Sequence, residues 1–291
     1  MNSVVALDVG GTLMKGAVVD RDGTARAVEQ RPTRRQPDTV DGILAFAADL
    51  TAGAGSPAAV GLAVPGIVDE ARGVARYSSN LGWRDLPLRD IAADRLGVPV
   101  ALTHDVRAGG VAEHEFGAAR GIDDFLFLPI GTGIAGTVFA GGRPYRGADG
   151  MAGEIGHAPV PIGEESCACG QRGCLETYAS AAALVRRYGD PGLSAADVVA
   201  RAEHDPRAAQ VLGEAVRALG FALTTYTMLL DPALIVIGGG LADAGETLLA
   251  PVRAELSARV TWRVPPRVVR AQLGSSAGRL GAAICAWGLV S

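Results

Sequence analysis

Apolar residues and glycine turns alternate in the same way in two separate stretches of the chain. Residues 4–9 are mostly apolar and β-branched, and after the turn Gly10-Gly11-Thr12 the chain returns through residues 15–20. This pattern predicts a β-hairpin. A second hairpin is predicted over residues 125–140, around the turn Gly131-Thr132-Gly133. The two turns align at a separation of 121 positions, which indicates a duplicated unit.

Predicted helices alternate with further predicted strands along the rest of the chain. Apolar residues have helical spacing over residues 40–52, 106–116 and from about 208 onward. Apolar runs at residues 59–64, 98–103 and 233–237 predict buried strands, and the last one leads into the glycine turn Gly238-Gly239-Gly240. We therefore expect an α/β fold of two duplicated α/β units around a central cleft.

Composition excludes several classes of protein. Of 291 residues, 48% are hydrophobic, 20% charged and 5% aromatic, which is typical of a globular chain and not of a disordered one. The net charge of −4 predicts no nucleic-acid partner. The longest apolar stretch, residues 218–230, is short and contains threonines, so no membrane partner is expected either. Residues 1–8 lack the pattern of a signal peptide, and we expect a cytoplasmic protein.

The glycine turns are candidate phosphate sites. Glycines leave backbone N–H groups accessible to a phosphate, and Thr12 and Thr132 add hydroxyl donors. Lys15, the sole lysine beside 26 arginines, follows the first turn closely. None of the turns has P-loop or dinucleotide spacing. The alternative is that they are ordinary tight turns and that Lys15 is a solvated residue at a strand edge.

A cysteine-rich segment predicts a structural zinc site. Cys167, Cys169 and Cys174 lie within eight residues, and His157 lies ten residues upstream of the first. Three thiolates and one imidazole make a closed tetrahedral set, which braces a loop and does not activate water. A disulfide is the alternative, but a cytoplasmic setting disfavours it. Cys285 is expected to be a buried core residue.

Acidic residues at predicted element ends form a third candidate group. Asp8, Asp105, Glu154 and Glu176 each lie at a strand end, beside a glycine turn or next to the cysteines. A carboxylate there is suited to orienting a sugar hydroxyl and accepting its proton. For Asp105 the alternative is an ordinary helix N-cap. Other charged residues are predicted to be solvated, namely Arg31, Arg34, Arg35, His114 and His204.

Taken together, these segments resemble the ROK family (repressors, open reading frames, kinases), in particular its zinc-containing, ATP-dependent hexokinases of the glucokinase type. The resemblance covers nearly the whole chain. It is carried by Asp8-Val9-Gly10-Gly11-Thr12, Val64-Pro65-Gly66, Asn80-Leu81-Gly82-Trp83, Gly131-Thr132-Gly133-Ile134, Gly153-Glu154-Ile155-Gly156-His157, the cysteines with Leu175-Glu176, Ile237-Gly238-Gly239-Gly240 and Gly281-Ala282-Ala283. It implies the actin-like ATPase (ribonuclease-H-like) fold. The implied domains are residues 1–118, completed by a C-terminal helix at about 279–291, and residues 119–278, which hold the zinc site.

The resemblance also implies a role for each candidate residue. Asp105 would be the catalytic base facing the sugar 6-hydroxyl group. The substrate would be bound by Gly66, Asn80, His104, Asp105, Glu154, His157 and Glu176. ATP with Mg²⁺ would be bound by Asp8, Gly10, Gly11, Thr12, Lys15, Gly131, Thr132, Gly133, Gly238, Gly239 and Gly240. His157 would also bind the structural Zn²⁺, with Cys167, Cys169 and Cys174.

Two departures from the family pattern bear on the substrate. His104 stands where the family has an asparagine that contacts the sugar, and Ala135 replaces a glycine after the second turn. We expect ATP-dependent phosphorylation of glucose or a closely related hexose. The alternatives are an aminohexose kinase (kanosamine, N-acetylglucosamine or N-acetylmannosamine type) and a non-catalytic sugar-binding protein. A sugar-responsive repressor is disfavoured because Asp8 is already in the phosphate turn. A homodimer is expected because dimers are usual in the family.

Overall fold

The structure is a computed structural model that describes residues 3–290. Its strands are β1 (Ser3–Val9), β2 (Leu13–Asp20), β3 (Ala25–Pro32), β4 (Val60–Val64), β5 (Ile67–Asp69), β6 (Val74–Ser78), β7 (Trp83–Leu86), β8 (Val100–His104), β9 (Phe125–Pro129), β10 (Thr137–Ala140), β11 (Arg143–Tyr145), β12 (Leu234–Gly238) and β13 (Arg267–Arg270). Its α-helices are α1 (Thr39–Ala54), α2 (Leu88–Leu96), α3 (Asp105–Phe116), α4 (Glu176–Ala179), α5 (Ala181–Tyr188), α6 (Ala195–Arg201), α7 (Pro206–Leu230), α8 (Glu246–Arg259) and α9 (Ala277–Trp287).

The chain divides into two compact units. The first unit contains Met1–Phe116, Arg146–Met151 and Ser275–Ser291, and the second contains Gly117–Tyr145 and Ala152–Gly274. Arg146–Met151 was expected in the second domain, but this segment packs with the first unit. An ion pair between Arg146 and Glu70 and a hydrogen bond from Arg107 to the Gly150 carbonyl hold it there.

The first unit is built on a five-stranded sheet in the order β3-β2-β1-β4-β8. The hairpin β1–β2 is antiparallel, whereas β1 pairs parallel with β4, and β4 with β8. Apolar side chains of β1 and α1 meet in the core, where Leu7, Ile43 and Phe46 are fully buried. A smaller antiparallel sheet has the order β5-β6-β7.

Helix α9 packs closely against helix α3 and strand β4 of the first unit. A side chain at Gly281 would overlap the backbone carbonyl of Ala108, and one at Gly61 would overlap that of Ala282. Only glycine allows these backbones to approach so closely. The C-terminal helix of the structure therefore begins at Ala277 and belongs to the first unit.

The second unit repeats the same hairpin-and-crossover arrangement. Its sheet has the order β11-β10-β9-β12-β13, with β9–β10 antiparallel and both β9–β12 and β12–β13 parallel. The rings of Phe125 and Phe139 stack at 4.3 Å across the hairpin. The predicted repeat is therefore confirmed at the level of topology.

Helix α7 forms the centre of the second unit's core. Asp205 caps its start by accepting a hydrogen bond from the Arg207 N–H at 2.8 Å, and Pro206 occupies the first helical position. Asp231 ends it in a left-handed conformation with φ of 46°. Within residues 3–290, no helix is both long and apolar enough to cross a lipid bilayer.

Some sequence-based expectations for individual side chains are wrong. Arg31 is not in a solvated loop, because it lies on β3 with its guanidinium 4.4 Å from the Phe46 ring centre and 2.6 Å from the Asp49 carboxylate. His114 is half-buried in α3, and Cys285 is half-buried where a fully buried residue was expected. The sequence pattern also missed the short strands β5 to β7 and helices α2, α5 and α6.

Candidate active site

The first glycine turn is fixed by a short set of backbone hydrogen bonds. The Gly10 N–H donates to the Leu13 carbonyl at 3.0 Å, and the Thr33 hydroxyl donates to the Gly10 carbonyl at 2.7 Å. Gly11 and Thr12 are exposed. A methyl group on Gly11 would lie 3.2 Å from Asn80 Cβ, so the structure places this predicted sugar-binding residue beside the turn.

Asp8 precedes this turn on β1, directly opposite Lys15 on β2. Burial, followed by the negative charge of Asp105, raises the pKa of Asp8 to about 6, while Lys15 and Arg279 oppose the rise. The first turn of α9 also lies close to Asp8, since a methyl group on Gly278 would be 2.6 Å from its carboxyl carbon. The structure thus brings Asp8, Lys15 and the start of α9 together.

Asp105 lies where β8 ends and α3 begins. Its Oδ1 atom accepts a hydrogen bond from the Val106 N–H at 2.7 Å and lies 3.3 Å from His104 Nε2. Burial raises the pKa of Asp105 to about 6, although the Val106 N–H and the charge of Arg107 act in the opposite direction. The carboxylate therefore makes a cap-like contact and still has the pKa of a candidate proton acceptor.

Gly66 lies in the turn between β4 and β5, with a positive φ of 101°. A side chain there would overlap the backbone carbonyl of Tyr77, so the turn packs directly on β6. Gly66, a predicted sugar-binding residue, therefore lies just after the C-terminal end of the parallel strand β4. Ligands of α/β folds bind at this end of the strands.

The second unit brings its two glycine turns next to each other. The Ile130 N–H donates to the Gly238 carbonyl at 2.9 Å, and the Leu241 N–H donates to the Ile130 carbonyl at 3.1 Å. These bonds join Ile130, which directly precedes the turn at residues 131–133, to both ends of the turn at residues 238–240. The turns predicted to bind ATP in this unit are therefore neighbours.

Glu176, at the start of α4, lies against the turn at residues 131–133. Its Oε2 atom accepts a hydrogen bond from the Ile134 N–H at 2.8 Å. A methyl group on Gly133 would be 2.5 Å from the same oxygen, so the Glu176 carboxylate lies directly against this turn. Glu154 is exposed and precedes the short 3₁₀ helix Ile155–His157.

The predicted zinc ligands of the second unit lie in one cluster. One ligand atom from each of His157, Cys167, Cys169 and Cys174 lies within 4.8 Å of the other three. The Cys169 and Cys174 sulfurs are 3.7 Å apart, as are the Cys167 sulfur and His157 Nδ1. Zn–S bonds of about 2.3 Å in a tetrahedron require a sulfur separation of about 3.8 Å, so this set fits Zn²⁺.

Burial also affects the ionisation of one thiol in this cluster. Burial, followed by hydrogen bonds from the neighbouring thiols, raises the pKa of Cys174 to about 12. At neutral pH this thiol would be protonated unless a cation stabilised its thiolate form. A Zn²⁺ ion bound by the four ligands would supply that positive charge.

Sequence reasoning missed three charged residues near Asp8 and Asp105. Glu70 and Arg107 form a buried ion pair with a 2.8 Å contact. Arg279 is buried on α9 and interacts electrostatically with Asp8. Burial lowers the pKa of Arg279, and the charge of Asp8 acts in the opposite direction. Arg279 is the charged residue in the otherwise apolar run from residue 277 to 286, and this pattern was the available sequence signal for a buried arginine. No local signal pairs Glu70 with Arg107, because 37 positions separate them.

Comparisons with known proteins extend over almost the entire chain. The sequence profile described as "ROK family" matches residues 4–288. A glucokinase of Streptomyces coelicolor is 31% identical, with 97% of both chains covered. A ROK family glucokinase of Streptomyces griseus, solved with glucose and AMPPNP, has a TM-score of 0.87 at 32% identity, covering 98% of this chain and 99% of its own. A ROK hexokinase of Thermus thermophilus has a TM-score of 0.86 at 34% identity, with 99% of both chains covered.

Proposed function

Because this chain belongs to the ROK family, we propose that it is a sugar kinase that transfers the γ-phosphoryl group of ATP to the 6-hydroxyl group of glucose. The family assignment also confirms the expected actin-like ATPase fold. The observation that carries the proposal is Asp105, a carboxylate of raised pKa at the end of a buried parallel strand. Asp8 and the turn at residues 10–12 lie in the same unit.

Asp105 is suited to act as the general base. With a pKa of about 6 it is mostly ionised at pH 7, yet it is more basic than an ordinary aspartate. As the sugar oxygen bonds to the γ-phosphorus, the bond from phosphorus to the ADP oxygen breaks and Asp105 takes the hydroxyl proton. Because phosphoryl transfer depends mainly on positioning and charge, fixing this carboxylate matters as much as its basicity.

The glycine turns and Lys15 are suited to hold the nucleotide. Gly11 and Thr12 are exposed in the first unit, and Lys15 lies opposite Asp8. The turns at residues 131–133 and 238–240 are their counterparts in the second unit, the latter for the adenosine. Mg²⁺ bound with ATP supplies positive charge that neutralises the phosphates. Asp8 is a fitting oxygen ligand for it, directly or through water.

We assign the remaining sugar contacts to Gly66, Asn80 and His104 of the first unit and to Glu154, His157 and Glu176 of the second. The thiol cluster supports the role of His157. The Nδ1 atom of His157 faces Cys167, so a Zn²⁺ ion bound there would fix the imidazole ring. The Nε2 atom would then be left to contact a hydroxyl group of the sugar. In this proposal zinc braces the loop and takes no part in phosphoryl transfer.

Cellular location and assembly stay predictions. A cytoplasmic location is consistent with the proposed zinc site, because Cys167, Cys169 and Cys174 must be reduced to bind Zn²⁺. The expected homodimer is proposed on family grounds alone.

One experiment tests the function and its alternatives together. Purified protein is given Mg²⁺ and ATP, and sugar-dependent ADP release is measured with glucose, mannose, glucosamine, N-acetylglucosamine, N-acetylmannosamine and 3-amino-3-deoxyglucose. We expect the highest kcat/KM with glucose. An amino sugar favoured by more than about tenfold, or 1.4 kcal/mol, would replace glucose as the substrate. No sugar-dependent turnover would instead favour a non-catalytic sugar-binding protein.

The aminohexose alternative depends on His104. Its side chain is mostly buried, and Nε2 lies 3.3 Å from Asp105 Oδ1. An imidazole at this position changes the polar edge offered to a sugar, since a neutral ring has a single acceptor nitrogen. If an amino sugar is preferred, His104→Asn is expected to restore preference for glucose.

A further inference from the structure

Glu70 contacts the chain on both sides of Asp105. Its Oε1 atom accepts hydrogen bonds from the Thr103 hydroxyl at 2.7 Å, the His104 N–H at 3.2 Å and Arg107 Nε at 2.8 Å. Thr103 and His104 end strand β8, and Arg107 lies in the first turn of α3. One carboxylate oxygen therefore joins the end of the strand to the start of the helix, with Asp105 between them.

The second oxygen of Glu70 holds a segment that is remote in sequence. Oε2 lies 2.7 Å from Arg146 Nε, and Arg107 donates to the Gly150 carbonyl at 3.0 Å. These contacts fasten residues 146–151 within the first unit, although the chain enters and leaves this segment from the second. The two oxygens thus have different partners.

The Glu70–Arg107 pair is charged and almost completely buried. The side chains are 9% and 4% exposed, respectively. Burial alone would raise the pKa of Glu70, but the charge of Arg107 and the hydrogen bond from Thr103 outweigh burial and lower it. Glu70 is therefore ionised at neutral pH and is a strong acceptor for all its donors.

We propose that Glu70 is a positioning residue for the base Asp105, because it fixes the backbone from which that carboxylate extends. This inference rests on the proposed kinase function. Asp105 Oδ1 is held by the Val106 N–H and lies next to the His104 ring, so its direction depends on the backbone at residues 104–106. Loosening the backbone at residues 104–106 would misplace the Asp105 carboxylate but would remove no group assigned to ATP. The activity lost would therefore appear as a lower kcat.

Three substitutions separate positioning from charge. Glu70→Ala removes every contact and is expected to lower kcat at least tenfold, with the KM values for glucose and ATP changed less than threefold. Glu70→Gln keeps an oxygen for Thr103, His104 and Arg107, so its kcat is expected to stay within threefold of the wild type. Glu70→Asp keeps the charge but is one methylene group too short, and it should lose kcat as the alanine variant does.

The control is Arg76→Ala, which breaks an exposed ion pair with Asp85 in the same unit and should leave kcat within twofold. Each kcat is corrected for the folded fraction measured by circular dichroism. If the alanine variant does not fold, the positioning role of Glu70 is tested by comparing kcat of the aspartate and glutamine variants.

Wild-type activity separates this inference from the proposed function. If the wild-type protein has no kinase activity, both the proposed function and the positioning role of Glu70 are refuted. With an active wild type, the positioning role alone would be overturned by any of three results: undiminished kcat in the alanine or aspartate variant, equal losses in the glutamine and alanine variants, or a loss confined to KM for glucose.

Discussion

Replacing Asp105 with asparagine removes the proposed base and leaves the shape of the side chain unchanged. The amide oxygen of asparagine can still accept the Val106 N–H, which lies 2.7 Å from Oδ1 in the wild type. No cavity forms, because the two side chains have nearly the same volume. The substitution therefore isolates the loss of a proton acceptor.

The expected loss of activity follows from the size of general-base effects. A positioned base contributes about 10²- to 10⁴-fold to the rate. We expect Asp105→Asn to lower kcat at least about 100-fold, or about 2.7 kcal/mol in activation free energy. The KM for ATP should change little, since Asp105 is assigned to the sugar hydroxyl.

The same variant is expected to unfold less readily at neutral pH. The rise of the Asp105 pKa from 3.8 to about 6 corresponds to roughly 3 kcal/mol of destabilisation by the buried charge at pH 7. The side chain is 30% exposed, so we expect about 1–2 kcal/mol. A raised carboxyl pKa lowers stability as pH rises from about 4 to about 6. The gain in Asp105→Asn should therefore be present at pH 7 and nearly absent at pH 4.

A coupled ADP-release assay gives kcat, and urea unfolding at pH 7 and pH 4 gives the free energy of unfolding. A kcat within tenfold of the wild type would refute the role of Asp105 as base. Reduced stability at pH 7 would refute the argument that burial of its charge is costly.

Three further predictions concern pH, nucleotide binding and metal. The kcat/KM for glucose should fall about tenfold per pH unit below an apparent pKa near 6, which belongs to the coupled pair Asp8 and Asp105, and a profile flat down to pH 4.5 would contradict this. Lys15→Met should raise KM for ATP about tenfold through a lost charge contact, with KM for glucose unchanged as the internal control. Cys174→Ala should reduce zinc measured by mass spectrometry from one equivalent to well below one and lower the melting temperature, whereas Cys285→Ala should retain the zinc.

Elements with strong local patterns were predictable from the sequence. The hairpins at Gly10-Gly11-Thr12 and Gly131-Thr132-Gly133 combine β-branched runs with glycine turns, and the structure confirms both. The cluster of Cys167, Cys169, Cys174 and His157 was predictable too, because ligands close in sequence have few other ways to be arranged.

Features that depend on long-range packing were not predictable in this way. Strands β5 to β7 are short and carry exposed charged residues such as Arg84, so no apolar alternation identifies them. The contacts of Glu70 with Arg107 and Arg146 exist only once β8, α3 and residues 146–151 have assembled. Likewise, the charge of Arg279 acts on Asp8 only because α9 packs beside β1. In each case the interacting residues are far apart in the sequence and are brought together by the fold, so local spacing cannot predict the contact.

The position of the phosphate on the sugar shows whether this protein phosphorylates the 6-hydroxyl group of glucose. Glucose is incubated with the protein, Mg²⁺ and ATP, and the product is examined by phosphorus and proton NMR, with 6-deoxyglucose as the matched control that lacks the reacting hydroxyl group. We expect a phosphate coupled to the two protons on carbon 6 of glucose and no phosphorylation of 6-deoxyglucose. A phosphate on any other carbon, or phosphorylation of 6-deoxyglucose, would contradict this expectation.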